Sequence, residues 1–533
     1  MNIDVSTLPD SPDDLKALIS DLHGHVSLLD GQITTLKEAH DKETDILLEQ
    51  IRHLRAQLFG RKSDKVYGDS GAQPLPLFDM PEPDPEAQPE ESVEVPAHTR
   101  KKSGRKPLPE DLPRIERIHD IAEADKVCGC GCELSRIGED VSEQLDIIPA
   151  RIQVIRHIRP KYACKSCQGV ADGGPAVKIA PVEPTLIPKS LASPGLVAFI
   201  LTGKFVDHLP FYRQEKQFSR LGVDISRTTM CNWAMQAASA CRPLLNLLQD
   251  TIREGRYLNI DETTVQVLKE PGRSPTRKSY MWIFRRGDPD YTVLLYQYHP
   301  TRSGDVVRDF LDDFTGVVQT DGYSGYDFLD RRDGILHIGC WAHARRKFMD
   351  VIKAQGKNRK SGSADKALSY IKKLYRLEQE AQRDELPTDQ IYRMRQEKAL
   401  PILEDFKKWL GKKATQTPPQ GLLGKAVSYT LKQWDRLIGY SEDGCLKPDN
   451  NMAENSIRPF VLGRKNWLFS GTPEGAEASA LLYSLIETAR ANGLEPYRYL
   501  RYIFDKLPAA HSLEDYETLL PWNAKAVMPP TEN

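Results

Sequence analysis

The sequence predicts a multidomain α+β protein, and three observations point to that fold class. The chain has 533 residues, which corresponds to about three or four domains of ordinary size. Apolar residues follow a helical period near the N-terminus, but they form β-branched runs after residue 256. Five of the nine cysteines lie within 128–167, where a small module built around a metal is expected. These features predict unlike modules joined in one chain.

Composition and charge exclude several classes of protein. The net charge is −2, from 73 Lys and Arg against 75 Asp and Glu, which excludes a histone-like protein that binds by bulk positive charge. Local basic faces remain compatible with nucleic-acid binding. No apolar run approaches about 18 residues, so no membrane span is expected. The acidic N-terminus has no apolar stretch typical of a secretory signal, and without export the clustered cysteines favour metal over disulfides.

The first element is a coiled-coil, leucine-zipper-like helix over residues 12–62. Apolar residues recur at steps of three and four over 15–36 and again over 47–58, which is the seam pattern of a coiled coil. The polar stretch 40–44 predicts a break between the two halves. We predict that this helix mediates self-association. The alternative is one amphipathic helix packed on the rest of the protein.

An acidic linker and a basic arm follow over residues 63–113. Residues 69–98 hold seven Pro and eight acidic residues without a single Lys or Arg, which predicts disorder. The charge then reverses in a basic run that begins with Arg100, Lys101 and Lys102. Such an arm either binds DNA phosphates or forms a solvated tail.

Residues 114–180 carry the cysteine cluster and predict a zinc-finger, DNA-binding domain. The later pair has the C-x-x-C spacing that lets two thiolates share one zinc ion, whereas the earlier group offers three candidates for two places. Alternating apolar residues over 152–158 predict a strand of the hairpin that closes such a module. Four of five cysteines would bind Zn²⁺, and the alternative is reduced thiols without metal: Cys128, Cys130, Cys132, Cys164 and Cys167.

Residues 190–250 predict a helix-turn-helix-like region. The segment 211–221 is amphipathic, Gly222 and Val223 predict a turn, and Ser226 is placed to cap a second helix. The second helix would offer four side chains to a DNA groove, although helical hairpins also occur in many folds without DNA: Arg227, Thr228, Thr229 and Asn232.

The next region, 251–480, predicts a mixed α/β sheet with a helical insertion at 355–445. We predict three meandering strands at 257–268, 278–286 and 291–299, followed by a short helix at 303–314. A fourth strand is predicted at 316–326, and a fifth strand that leads into a helix at 335–352. This order matches the ribonuclease-H-like fold. Residues 481–533 are expected to form a C-terminal helical domain and tail.

Two carboxylates stand out on the predicted strands. Asp261 interrupts the first strand, where an isolated charge in an apolar run is costly, and Asp321 ends the fourth. Because those strands are neighbours in the proposed sheet, both carboxylates could face a pair of Mg²⁺ ions that cut a phosphodiester. Each residue also has a structural explanation, an ion pair for Asp261 and an Asp-Gly turn for Asp321.

A third carboxylate is expected from a late helix, and Glu454 fits. Asn451 with Glu454 three residues later has the spacing of a capping box, a role that does not exclude catalysis. Arg458 lies one turn further on the same face and suits a phosphate or the carboxylate. Beyond it lies a basic and aromatic strip that could contact DNA, formed by Arg464, Lys465 and Trp467, although Trp467 is more often a core residue.

The helix after the fifth strand carries a basic face beside the predicted site. This face is a candidate DNA contact and comprises His343, Arg345, Arg346 and Lys347. Cys340 and His343 do not predict a metal site, because no second pair accompanies them. We expect Cys340 to be buried and His343 to face DNA or a carboxylate.

Five stretches together resemble the bacterial DDE transposases of the insertion sequence sixty-six family, TnpC type. These are IGEDVSEQLDIIPARIQVIRHIRPKYAC, NIDETTVQVL, VVQTDGYSGY, GCWAHARRKF and NNMAENSIRPFVLGRKNWLFSG. The resemblance runs from about residue 12 to residue 510. It implies a DDE triad, which by motif position is Asp261, Asp321 and Glu454, and a structural zinc finger.

The resemblance also implies a setting for this chemistry. The family acts on the terminal inverted repeats of its element, often with small accessory proteins from the same element, so the expected partners include those repeats and target double-stranded DNA. The carboxylates predict two Mg²⁺ ions per site, or Mn²⁺ in their place, and the N-terminal helix predicts a homo-oligomer. We expect the protein to be bacterial, cytoplasmic and nucleoid-associated. Two alternatives are a DNA-binding regulator without catalysis and a nuclease without strand transfer.

Overall fold

The computed structural model describes residues 11–59, 152–163, 177–287, 291–355 and 361–528. Several predictions fall outside these ranges: the acidic linker, the arm with Arg100, Lys101 and Lys102, and the cysteines Cys128, Cys130, Cys132, Cys164 and Cys167. Among the described helices, none is both long and apolar enough to cross a membrane.

The first helix, α1, runs without interruption over Pro12–Phe59. The predicted break at 40–44 is wrong, because that stretch is polar but contains neither Gly nor Pro and so does not interrupt helical hydrogen bonding. Along its N-terminal part the apolar side chains stay exposed, for example Val26 at 54% and Leu36 at 69%. The helix therefore keeps an apolar seam open to solvent.

The two strands of a small ladder stand on either side of Cys164 and Cys167 in the sequence. Strand β1, Lys161–Ala163, pairs antiparallel with β2, Val177–Ile179. Residues 152–160 have no regular structure, and Val154 is 88% exposed. The strand predicted over 152–158 is therefore wrong, and among the described residues its apolar side chains are exposed.

Four helices lie between the small ladder and the main sheet in the described chain. They are α2, Pro194–Phe205; α3, Phe211–Arg220; α4, Arg227–Ala240; and α5, Arg242–Arg253. Ser226 caps α4 as predicted, because its hydroxyl accepts from the Thr229 amide at 3.1 Å. Gly222 between α3 and α4 has φ of +80°, a conformation that glycine adopts without steric cost.

The main sheet has five strands with one short α-helix among them, and a 3-10 helix, Ser324–Arg331, lies between its last two strands. In chain order these are β3, Tyr257–Gln266; β4, Lys278–Arg286; β5, Val293–His299; α6, Asp305–Phe310; β6, Gly316–Gln319; and β7, Ile335–Ile338. The spatial order is β5-β4-β3-β6-β7. The β3–β4–β5 meander is antiparallel, whereas β6 and β7 run parallel to β3. The mixed α/β sheet predicted from the sequence is confirmed.

A helical segment after β7 has a hydrophobic core of its own. Its helices are α7, Trp341–Gln355; α8, Ser363–Arg383; α9, Thr388–Met394; α10, Leu400–Gln416; α11, Leu422–Lys432; and α12, Trp434–Ile438. Trp341, Phe406 and Trp434 stack or meet edge to face in that core. The C-terminal part of α1 contacts α7 and α11, where Glu49 Oε2 accepts from the Leu422 amide at 3.1 Å.

Five helices complete the described chain. They are α13, Asn451–Trp467; α14, Pro473–Ala491; α15, Pro496–Lys506; α16, Leu513–Thr518; and α17, Pro521–Val527. Helix α14 covers β5, the edge strand, and satisfies its free amides: Ser484 Oγ accepts from Tyr296 N at 2.8 Å, and Thr488 Oγ1 from Leu294 N at 3.0 Å. Helices α2–α5, the sheet and α13–α15 share one continuous core.

Candidate active site

The register of two parallel strands brings Asp261 and Asp321 level with each other. Asn259 on β3 lies opposite Gln319 on β6, and two residues further along each chain stand Asp261 and Asp321. Asp261 is still within β3, whereas Asp321 lies just beyond the end of β6, where its Oδ1 accepts from the Tyr323 amide at 2.8 Å. The two carboxylates lie close enough to interact, because the charge of Asp321 contributes to the raised pKa of Asp261.

A buried amide network lies directly beneath these carboxylates. Asn259 Nδ2 contacts Gln319 Oε1 at 2.9 Å and Asn450 Oδ1 at 3.1 Å, and all three side chains are almost wholly buried. Asn450 Nδ2 in turn donates to Ile260 O at 2.8 Å. Buried polar groups that satisfy one another fix a unique arrangement, so the start of α13 is held against the middle of β3.

This contact sets the position of Glu454. Helix α13 begins at Asn451, and the amides of Ala453 and Glu454 donate to Asn450 O at 3.1 and 3.2 Å. The alternative of a capping box formed by Asn451 and Glu454 is wrong, because Asn450 is the cap residue and its side chain does not cap the helix; Asp449 Oδ1 instead accepts from the Asn451 amide at 3.1 Å. The Glu454 carboxylate instead faces α7, with Oε1 3.7 Å from His343 Nδ1 and Oε2 3.5 Å from Arg346 Nη2.

The three carboxylates influence one another electrostatically. Burial raises the pKa of Asp261 well above its usual value, and the charges of Glu262, Glu454 and Asp321 add to that effect. Burial also raises the pKa of Glu454, while Arg346 opposes the change. Crowded carboxylates of this kind favour a bound cation, since a positive ion removes their mutual repulsion.

Glu262, next to Asp261 in sequence, has a different role. Its side chain is 1% exposed, and its two oxygens accept from Arg302 and from the Tyr326 hydroxyl. Arg302 also lies flat over the Tyr323 ring, with its guanidinium carbon 3.7 Å from the ring centroid. Both oxygens of Glu262 therefore have partners in the protein. The Asp261 carboxylate, by contrast, accepts only the Glu262 amide, at 2.9 Å, among the described residues.

The four residues of the basic face predicted on α7 do not all face the same surroundings. His343 and Arg346 face Glu454, and Lys347 lies 4.5 Å from the centroid of the Tyr429 ring. Arg345 is only 9% exposed, so its guanidinium is not presented to solvent. Burial, with Arg346 nearby, lowers the pKa of His343 to about 4, so its imidazole is neutral near pH 7.

Cys340, His343 and Glu454 are the one group of metal-ligand residue types that lie within 4.8 Å of one another in the described ranges. Cys340 is buried as predicted, its sulfur accepts from the Asn450 amide at 3.2 Å, and burial raises the pKa of its thiol. A thiol in that state is a poor metal ligand, because metals bind the thiolate. The oxygen donors of Asp261, Asp321 and Glu454 suit a hard divalent cation better.

The remaining DNA-binding candidates lie on α4 and α13. On α4, Arg227, Thr228 and Asn232 are exposed, whereas Thr229 is half-buried and its amide bonds to the cap residue. On α13, Arg458 and Lys465 are exposed, but Arg464 Nη1 donates to Thr263 and Thr264 on β3 at 3.2 Å each. Trp467 is half-buried and packs against the core beside Phe205 and Tyr483, so it does not form an exposed strip.

Sequence reasoning missed Glu262, Arg302, Tyr323 and Tyr326 as parts of the site. The two tyrosines stand in the stretch TDGYSGY directly after Asp321, so their proximity to that residue was available as a signal. No comparable signal exists for Arg302, which lies 40 residues after Glu262 in the loop that follows β5.

Comparisons with known proteins agree across nearly the whole chain. A family model described as "Transposase IS66 family" matches residues 189–478. Further models, described as "zinc-finger binding domain of transposase IS66", "IS66 C-terminal element" and "Transposase C of IS166 homeodomain", match residues 125–168, 484–522 and 46–117.

Individual relatives are similar over most of their length. The uncharacterized protein y4jD of Sinorhizobium fredii is 35% identical over 433 residues, which cover 79% of this chain and 82% of the relative. The uncharacterized protein y4qI of the same organism is 31% identical over 451 residues, which cover 81% of each chain.

Proposed function

This chain belongs to the transposase IS66 family, and on that premise we propose that it is the transposase of a bacterial insertion sequence that cleaves and joins DNA with a DDE triad. The triad is Asp261, Asp321 and Glu454. The observation that carries the proposal is their convergence: two carboxylates level on adjacent parallel strands and a third on a helix held against the same strand.

A divalent-metal site fits this convergence. The donors are carboxylate oxygens, and one of them, Glu454 Oε1, is buried with no hydrogen-bond partner among the described residues. Hard oxygen donors are those that Mg²⁺ and Mn²⁺ prefer, and we propose two such ions per site. When bound, they would activate the attacking hydroxyl and stabilise the leaving oxygen.

We infer that the sheet is of the ribonuclease-H-like class. If β3 to β7 are renumbered 1 to 5 along the chain, their order across the sheet is 3-2-1-4-5. Strands 1 to 3 form an antiparallel meander, and strands 4 and 5 run parallel to strand 1. Catalytic carboxylates on the first and fourth strands of such a sheet are neighbours by topology. The chain's own contribution is to hold these groups rigidly, since the amides beneath them are buried and hydrogen-bonded.

The proposed reaction has two steps. Hydrolysis at the element's end exposes a 3′-hydroxyl, and that hydroxyl then attacks target DNA without a covalent protein intermediate. His343 is neutral near pH 7 and Arg346 is charged, so both can orient Glu454, while Arg346 also offers positive charge to DNA. Arg227, Asn232, Arg458 and Lys465 remain exposed for contacts to phosphates and bases.

Three further parts complete the proposal. A structural Zn²⁺ held by four of the five clustered cysteines is supported by the match to the zinc-finger model at 125–168. Self-association through α1 would let two protomers hold both element ends, and the exposed seam of that helix supports it. Small proteins from the same element are proposed accessory partners, and the nucleoid is the proposed place of action.

Cleavage of a duplex carrying one terminal repeat tests the triad. Asp261→Asn removes a negative metal ligand without changing side-chain size, so we expect unchanged repeat binding and cleavage reduced by about 100-fold or more. Asp309→Asn is the matched control, because Asp309 is an exposed carboxylate on α6. Normal cleavage by Asp261→Asn would show that the triad is misassigned.

A further inference from the structure

The loop after β5 presents an arginine at the edge of the carboxylate cluster. Arg302 Nη2 lies 4.0 Å from Asp321 Oδ2, too far for a hydrogen bond but close enough to share one ligand. The side chain is 37% exposed, so it borders solvent. Any phosphate that approaches Asp261 and Asp321 comes within reach of this guanidinium.

Three contacts hold Arg302 in one orientation. Its Nε donates to Glu262 Oε1, with which Nη2 also forms an ion pair, its guanidinium carbon lies 3.7 Å from the Tyr323 ring centroid, and its backbone carbonyl accepts from Tyr323 Oη at 2.9 Å. Tyr326 fixes Glu262 from the other side. A long side chain loses rotamer entropy when it is fixed, and here that loss occurs in the folded protein, before any ligand arrives.

Stability alone does not account for this arrangement. An ion pair with one buried partner gives little net stability over apolar residues, because desolvation of the buried Glu262 carboxylate offsets the attraction. One edge of the guanidinium faces Glu262, while Nη1 has no hydrogen-bond partner among the described residues. A fixed arginine with one free edge is suited to bidentate recognition of a phosphate.

We propose that Arg302 binds the phosphate at which the element's end is cut, and that Glu262, Tyr323 and Tyr326 are positioning residues that aim its free edge. This inference rests on the proposed function and adds a substrate contact to it. Glu262 would accordingly act through Arg302 and not as a metal ligand, although it is the neighbour of Asp261.

The test neutralises one phosphate at a time. Duplexes carrying a terminal repeat would contain a methylphosphonate either at the cleavage position or several nucleotides away, and the dissociation constant of the full-length protein would be measured for each. The variant Glu262→Gln/Arg302→Gln removes both charges together, which avoids leaving a buried carboxylate unpaired. Arg308→Gln is the control, because Arg308 is an exposed arginine on α6 that pairs with Asp305.

For the wild type, the methylphosphonate at the cleavage position should weaken binding about tenfold, as expected for loss of one charge-assisted contact. The double variant should bind unmodified DNA about tenfold more weakly and should be indifferent to that methylphosphonate. The slope of its log affinity against log salt should fall by about 1. Arg308→Gln should behave as the wild type does.

Equal sensitivity of the wild type and the double variant to the methylphosphonate would overturn the assignment while leaving the proposed function intact. Arg302→Lys provides a second variant in case the double variant fails to fold, because it keeps the charge beside Glu262. It should keep part of the sensitivity, and full wild-type affinity and sensitivity would contradict the role of the guanidinium fork. A wild-type protein that neither binds nor cuts the repeat would instead overturn the proposed function itself.

Discussion

At the residue scale, the site depends on which carboxylate oxygens already have partners. Asp261 and Glu262 are adjacent in sequence and similar in chemistry, but successive side chains point to opposite faces of a strand. Both acids feel the charge of Asp321, but Glu262 is enclosed by Arg302 and Tyr326, whereas Asp261 accepts only the Glu262 amide among the described residues and also feels the charge of Glu454. Two neighbouring acids therefore take different roles because of the pleat of one strand.

His337, beside the site, has a pKa that makes the stability of the protein depend on pH. His337 on β7 is 1% exposed at its side chain and lies between Thr320 Oγ1, at 2.8 Å, and Asp330 Oδ1, at 2.7 Å. Burial lowers its pKa from 6.5 to about 4, and the Arg436 guanidinium adds to the shift. Thr320, although hydrogen-bonded to this histidine, is wholly buried, so the three residues support the end of β6 and do not form a nucleophilic site.

We expect acid to destabilise the protein through His337. Because the folded-state pKa lies below the unfolded value, its stabilising contribution is fully present above about pH 6.5 and is lost as pH falls toward 4. The loss of unfolding free energy at the acid end is on the order of 3 kcal/mol. Chemical denaturation gives the unfolding free energy at each pH between 4 and 7. His337→Gln should make this free energy depend less on pH, whereas His25→Gln on exposed α1 should not. An unchanged slope in His337→Gln would contradict the prediction.

The triad candidates were predictable from sequence, but the partners of Arg302 were not. Asp261 stood out because a charge inside an apolar strand needs a reason, and Asp321 because it follows a strand directly. Glu262 and Arg302 are 40 residues apart and meet only because the β5 loop returns over β3. A pairing of that kind depends on loop geometry, which hydrophobic periodicity does not encode.

At the element scale, the strands were predictable because they are buried on both faces. Strand β4 occupies the predicted range, and Trp282, Ile283 and Phe284 in its centre are fully buried. The strand expected over 152–158 fails for the opposite reason, since Val154 and Ile158 remain exposed and apolar alternation alone does not create a partner. Likewise, the polar stretch in α1 predicted a break that polar residues by themselves do not cause.

Helix α14 accepts hydrogen bonds from the edge strand β5, and we predict that loss of one of them destabilises the protein. Ser484→Ala removes the acceptor of the Tyr296 amide in a fully buried position, so unfolding free energy should fall by about 1–3 kcal/mol. The same substitution at Ser239, exposed on α4, should change it by no more than about 0.5 kcal/mol. Denaturant unfolding of both variants measures the difference, and equal effects would show that water or another group satisfies the strand.

At the scale of the whole molecule, α1 relates to the rest of the chain in two ways. Its C-terminal part contacts α7 and α11, as the alternative of a helix packed on the protein expected. Its N-terminal part leaves Val26, Leu29, Ile33 and Leu36 exposed at spacings of three and four. An apolar seam of this length is typical of an interface, and we propose that a second copy of the chain covers it.

Sedimentation tests that arrangement. Leu29→Lys combined with Leu36→Lys places two charges on the seam, so we expect a lower apparent mass in solution without loss of the catalytic fold. Ser27→Lys combined with Thr34→Lys adds the same charges at the same spacing away from the seam and should leave the mass unchanged. If both pairs of substitutions give the wild-type mass, α1 does not hold the copies together.

The most direct test of the central claim is strand transfer from a pre-cleaved element end. The wild-type protein, given a duplex with an exposed 3′-hydroxyl and a target plasmid in Mg²⁺, should join the two. Asp261→Asn, Asp321→Asn and Glu454→Gln should each abolish joining, and Asp309→Asn should not. Joining that survives these substitutions, or a wild type that only nicks the plasmid, would contradict a DDE transposase built from these three carboxylates.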